Sequence, residues 1–200
     1  MESTDLYLTE DHYLVPSYKK SPLALERGSG AMVWDERGRA YLDLYGGHAV
    51  CILGHCHPAL VSTIEREARR LLFYSSVNYS KNRALAAKAL VDFTGVDYQV
   101  FFSNSGAEAN ENALKMARLL TKKPGVISFE GSFHGRTKGA LGITGIPKYR
   151  TEDDPHVRFA HYGDLSSVEK LMDASVGAVV VEAIQSLAGV RTASKAFYQG

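Results

Sequence analysis

Hydrophobic and polar positions alternate with different periods in different parts of the chain. Leu60, Val61, Ile64, Ala68, Leu71 and Leu72 recur at three- and four-residue spacing behind Pro58, which predicts an amphipathic helix entered at a proline. A second helix is predicted from roughly Arg83 to Phe93. Upstream, Ala31-Met32-Val33-Trp34 and Ala40-Tyr41-Leu42-Asp43-Leu44 flank the polar Asp35-Glu36-Arg37-Gly38-Arg39, the pattern of a hairpin. Pro16 and Pro22 interrupt residues 1–22, which read as an N-terminal arm.

From residue 100 short apolar runs alternate with helical stretches. Val100 to Phe102 reads as a strand, Ala107 to Leu120 as a helix, Lys123-Pro124-Gly125 as a turn and Val126 to Phe129 as a strand. Asp164 is placed to cap a helix whose inner face carries Val168, Leu171 and Met172. Val176 to Ile184 is a continuous apolar run, as expected of a strand buried on both faces. This rhythm predicts an α/β layered fold.

Composition narrows the function. The chain has 200 residues, 45% hydrophobic and 22% charged, with a net charge of +1 and no basic stripe of the kind that binds nucleic acid. No apolar run reaches membrane-spanning length, and Met1-Glu2-Ser3-Thr4-Asp5 starts no secretory signal. The two cysteines, Cys51 and Cys56, make no disulfide framework and suit a reducing cytoplasm. His55-Cys56-His57 has no second ligand pair at finger spacing, so no metal site is expected.

Candidate chemistry lies in two stretches. In Phe101-Phe102-Ser103-Asn104-Ser105-Gly106-Ala107-Glu108-Ala109-Asn110 an apolar run breaks at a small-residue turn that opens a helix. Unpaired N–H groups and the macrodipole make such a helix start an anion site, although an ordinary tight turn has the same appearance. Only one of the three glycines of a dinucleotide fingerprint is present. Phe133-His134-Gly135-Arg136-Thr137 adds an aromatic face and a guanidinium. A phosphate cradle, a ring and a carboxylate fork together suit a phosphorylated aromatic cofactor handling an amino or carboxylic acid.

These stretches, with Pro22-Leu23, Gly28, Trp34-Asp35, Tyr41-Leu42-Asp43, Leu53-Gly54-His55-Cys56-His57-Pro58 and Val181-Glu182, resemble the class III aminotransferases. These are pyridoxal-phosphate enzymes of fold type I, and the likeness is to the acetylornithine aminotransferase branch. The resemblance implies a mixed seven-stranded large-domain sheet in which the first strand is separated from the fourth by the fifth, sixth and seventh. Residues 1–50 would be the arm and small-domain segment, and residues 51–200 the first half of the pyridoxal-phosphate domain. It implies cofactor contacts from Ser105, Gly106, Ala107, Phe133 and His134, with Phe133 flat on the pyridine ring, and substrate contacts from Arg136 and Glu182. Glu108 would point away from a phosphate and serve the helix. The activity implied is transfer of the terminal amine of N2-acetylornithine, or a similar acylated ornithine, to 2-oxoglutarate, in arginine biosynthesis by a homodimer. Ornithine and 4-aminobutyrate aminotransferases share the same turn and stacking motif. Ser75, Ser76, Asn78 and Tyr79 resemble a loop that reaches a neighbouring subunit, and equally an ordinary polar surface loop.

Two departures qualify that expectation. Leu187 stands where the family has a gating glutamate. The family's Asp-Glu-x-Gln strand and its Schiff-base lysine have no counterpart here, since Lys115 and Lys138 stand in no matching context. The expectation is therefore of about half an enzyme, catalytically silent and poorly folded by itself, with Val100 to Phe102 lacking ladder partners, Val179 to Val181 an open apolar edge and no catalytic residue among its 200; a non-catalytic fragment is the reading of a different class.

Overall fold

The computed structural model describes residues 3–200. The chain divides into two compact units, the first ending at Lys81 and the second spanning Asn82–Gly200.

In the first unit, helix α1 (Ser3–Tyr13) precedes an antiparallel sheet of β1 (Leu25–Ser29), β2 (Met32–Asp35) and β3 (Ala40–Leu42) in that order. The expected hairpin is β2–β3, pairing Met32 with Leu42 and Trp34 with Ala40. Its turn is organised by the buried Asp35, which accepts the Arg37 and Arg39 N–H groups, the Arg39 Nε–H at 2.7 Å and the Tyr41 hydroxyl at 2.9 Å. Burial alone would raise the Asp35 carboxyl, but these donors outweigh it and hold it at about 2. Strand β1 was not legible: Glu26, Arg27, Gly28 and Ser29 show no apolar alternation, and only pairing with β2 makes them a strand.

A single turn, α2 (Gly46–Ala49), follows with left-handed dihedrals at Gly47 and His48. Asp43 holds its base, accepting the Tyr45 and Gly46 N–H groups and facing His55 Nε2 at 2.6 Å. The His55-Cys56-His57 motif thus leads into α3 (Pro58–Ala68), with His57 at the N-cap and Pro58 in the first turn. Helix α3 carries Leu60, Val61, Ile64 and Ala68 of the predicted stripe, yet Leu60, Val61 and Ile64 stay exposed. Leu71 and Leu72 lie beyond the helix end.

The second unit contains α4 (Lys81–Thr94, whose first residue ends the first unit), α5 (Gly106–Thr121), β4 (Gly125–Phe129), α6 (Lys138–Gly142), β5 (Val157–Ala160), α7 (Leu165–Leu171), β6 (Val176–Val179) and α8 (Lys195–Gln199). Its sheet is parallel, in the order β5-β4-β6. The central β4 is buried throughout, and its one hydroxyl, Ser128, donates to the Ile143 carbonyl at 2.6 Å. Ile127, Phe129, Ala160, Tyr162, Val168, Val176 and Phe197 form one core cluster, and Leu114, Val126 and Ile143 another. Asp164 caps α7 as expected, accepting the Ser166 N–H, but Met172 ends the helix and is exposed.

Two expected strands lack the neighbours that would complete them, as the implied strand order anticipated. Val100 to Phe102 joins no ladder among the described residues, and Phe101 and Phe102 are exposed. An apolar run becomes a strand only beside a ladder partner, and the β5-β4-β6 order offers this one none. The run Val176 to Ile184 is not a long strand buried on both faces. It pairs on one side only, its assigned strand ends at Val179, and Val179 and Val181 are exposed. Among the described residues no helix is long and apolar enough to cross a membrane.

Candidate functional site

Helix α5 opens at the turn singled out in the sequence. Ser105, in extended conformation, is its N-cap and accepts the Glu108 N–H on Oγ at 3.1 Å. Glu108 turns back and accepts the Asn104 N–H at 2.7 Å, so its carboxylate serves the preceding loop, as expected of a structural residue. The Gly106 and Ala107 N–H groups start the helix, where the macrodipole is positive. A Cβ built on Gly106 meets nothing within 4 Å, so open space lies at this end of α5.

The loop carrying Phe133 to Arg136 is packed against the same helix start. Asn110, one turn into α5, donates from Nδ2 to the His134 carbonyl at 2.7 Å. Gly135 has φ +133, and a Cβ there would stand 2.7 Å from the Ala107 Cβ and 3.0 Å from that of Ala140. Only glycine meets both the dihedral and the approach. From the other side Glu111 accepts the Gly139 N–H at 2.7 Å and the Ala140 N–H at 3.2 Å, fixing the start of α6. Burial would raise the Glu111 carboxyl, but the Thr137 hydroxyl and these two N–H groups outweigh it and lower it.

The Phe133 ring is half-buried and meets the Tyr149 ring edge-on, with centroids 5.8 Å apart. The exposed Arg136 guanidinium lies 5.6 Å from the centre of the same Tyr149 ring. His134 is buried, its N–H donating to Thr144 Oγ1 at 3.1 Å, and desolvation lowers its imidazole. Its Nε2 meets no partner among the described residues. Glu182, beyond the end of β6, accepts the Phe133 N–H at 3.0 Å. Burial raises the Glu182 carboxyl, with the Phe133 N–H acting in the opposite direction.

Ser105, Gly106, Ala107, Phe133, His134, Arg136 and Glu182 therefore belong to connected pieces of one unit. The small-residue helix start, the adjacent aromatic ring and the guanidinium fit a phosphate-bearing ring with a carboxylate ligand beside it. Tyr149, Asn110 and Glu111 were missed as site residues. Asn110 lies inside the turn motif, while nothing in the sequence pattern marks Tyr149 or Glu111. Leu187 is exposed on the hairpin closed by the Gln185–Arg191 pair, and Gln185 itself is fully buried, donating to the Glu130 carbonyl at 3.0 Å.

The family described as Aminotransferase class-III matches residues 13–200. The chain belongs to this family. It is 44% identical over 191 residues to the acetylornithine aminotransferase of Methanopyrus kandleri, covering 94% of this chain and 49% of that protein. It is 42% identical over 200 residues to the succinylornithine transaminase of Salmonella paratyphi A, covering 95% and 48%. The ornithine aminotransferase structure of Toxoplasma gondii, which has partial occupancy of PLP at its active site, superposes with a TM-score of 0.91 at 28% identity, covering 99% of this chain and 49% of that one. The chain spans about half the length of the curated relatives it matches. The fold is accordingly that of the fold type I pyridoxal-phosphate aminotransferases.

Proposed function

We propose that this chain binds pyridoxal 5'-phosphate and serves a transaminase that moves the terminal amine of N2-acetylornithine, or a similarly acylated ornithine, to 2-oxoglutarate. The observation that carries the reading is the packing of Gly135 against Ala107, which sets the Phe133–Arg136 loop beside the open helix start. The cofactor supplies an electron sink through its ring. Gly106 and Ala107 N–H groups hold its phosphate, with Ser105 fixing the turn. Phe133 offers a face for the ring, worth about 0.5–1.5 kcal/mol beyond burial. His134, buried with its imidazole lowered by desolvation, stands next in the chain as a further cofactor contact. Arg136 grips a substrate carboxylate through a two-pronged fork, and Glu182 completes the substrate side while holding the Phe133 main chain.

The relatives named acetylornithine aminotransferase and succinylornithine transaminase support an acylated donor. The fold match to an ornithine aminotransferase favours the second reading, a free ornithine donor. We infer also that residues 1–200 do not contain the lysine that links the cofactor. Lys115 is exposed on α5, and the exposed Lys138 lies 4.0 Å from Glu152. The active form would then be completed by further residues, in a homodimer.

The test is glutamate formation, with pyridoxal phosphate and 2-oxoglutarate, by the full-length protein that joins residues 1–200 to the segment carrying the linking lysine. N2-acetylornithine, N2-succinylornithine, ornithine and 4-aminobutyrate are compared as donors. Preference for the first two supports the proposal, preference for ornithine supports the second reading, and activity with none of them removes both. Borohydride reduction followed by mass spectrometry addresses the lysine. Stoichiometric labelling of any lysine within residues 1–200 would refute that part.

A further inference from the structure

Glu182 follows β6 on a segment that has left the sheet, yet its main chain is held firmly. The Tyr162 hydroxyl lies 3.1 Å from the Glu182 carbonyl oxygen and 3.1 Å from that of Ala183. The Tyr198 hydroxyl, from α8, lies 2.7 Å from the Ala183 carbonyl and 2.6 Å from the Tyr162 hydroxyl. The Ala193 N–H donates to the Tyr198 oxygen at 3.2 Å. Tyr162 is buried in the core with its ring edge-on to Phe129 and Phe197, and the exposed Tyr198 packs its ring edge-on against Phe197.

Two hydroxyl protons must serve these four oxygens. The two shortest contacts give the consistent arrangement, in which Tyr162 donates to Tyr198 and Tyr198 donates to the Ala183 carbonyl. If Tyr198 lost its hydroxyl, Tyr162 would be free to donate to the Glu182 and Ala183 carbonyls it already faces. If Tyr162 lost its own, the Tyr198–Ala183 bond would remain. Either tyrosine can thus hold the segment alone. Burial and the Tyr198 hydroxyl push the Tyr162 phenol up to about 12, so Tyr162 keeps its proton at neutral pH.

We propose that Tyr162 and Tyr198 are paired positioning residues. By holding the Glu182–Ala183 main chain they set the Glu182 carboxylate against the Phe133 N–H, and through it the height of the Phe133 ring. The importance of that ring rests on the function proposed above; the clamp itself does not.

The test is amide NMR and hydrogen exchange on the purified protein without cofactor, so that its failure is separable from failure of the pyridoxal-phosphate reading. Tyr162→Phe, Tyr198→Phe and the double variant keep both rings and remove only hydroxyls. Each single variant should leave the Phe133 amide near its parent shift. The double variant should move that amide upfield as its bond to Glu182 lengthens, and speed its exchange by about tenfold or more, the loss of one bond to a charged group. The Val126 and Ile127 amides of β4 should stay protected as in the parent. A double variant with an unchanged Phe133 amide, or with protection lost equally along β4, would overturn the proposal. So would a single variant with the whole effect, because the clamp would then not be paired.

Discussion

The Asn110 side chain donates to the His134 carbonyl at 2.7 Å, tying the second turn of α5 to the loop that carries Phe133 and Arg136. Two stretches that were separate in the sequence become one surface through this bond and the Gly135–Ala107 contact.

Gly106→Val is the cleanest probe of the helix start. Nothing stands within 4 Å of a Cβ at this position, so the variant should fold with a stability change within about 0.5 kcal/mol. Its side chain enters the space assigned to the phosphate. Pyridoxal-phosphate affinity, followed by absorbance titration, should fall by about 1.5–3 kcal/mol, roughly 10- to 150-fold. Unchanged affinity would remove the phosphate from this turn.

Gly135→Ala should behave in the opposite way. The dihedral of +133° and the 2.7 Å approach to Ala107 both oppose a methyl group. The variant should lose about 1–3 kcal/mol of stability in urea titration. A fully stable variant would show that the loop moves freely away from α5.

Much of this site was readable from local chemistry. Glu108 serving its own helix start and Asp164 capping α7 are interactions within a few residues, so their residue types announce them. Tyr149, Glu111 and the Tyr162–Tyr198 pair act across 16 to 36 positions, and no local pattern encodes such meetings. The same distinction explains the strands. Val126 to Phe129 was recognisable because it is buried on all sides, whereas β1 exists through its partner and Val100 to Phe102 lacks one.

Glu182→Gln tests the raised carboxyl. A folded-state value above the ordinary 4.5 means that the native state holds the proton more tightly than the unfolded chain. The parent should be favoured at low pH and lose that advantage as pH rises through the raised value. Glutamine keeps an acceptor for the Phe133 N–H without the buried charge. The difference in melting temperature, variant minus parent, should therefore grow from pH 4 to pH 7. A difference independent of pH would contradict the burial of this charge.

Asp35→Asn carries the opposite sign, in the first unit. The Asp35 carboxyl is held at about 2 against an ordinary 3.8, so its contribution is complete above the ordinary value and disappears as pH falls through the native one. Asparagine keeps one acceptor oxygen but cannot replace both the Arg39 ion pair at 2.7 Å and the two N–H bonds from the turn. Trp34, the single tryptophan, sits next in the strand with the Arg27 guanidinium 3.8 Å from its ring centre, and so reports locally. Its fluorescence should show an acid transition between about pH 4 and pH 2 in the parent. In Asp35→Asn the hairpin should already be loosened at pH 7, with that transition diminished. Superimposable acid titrations of the two proteins would show that the hairpin is held by its strands alone.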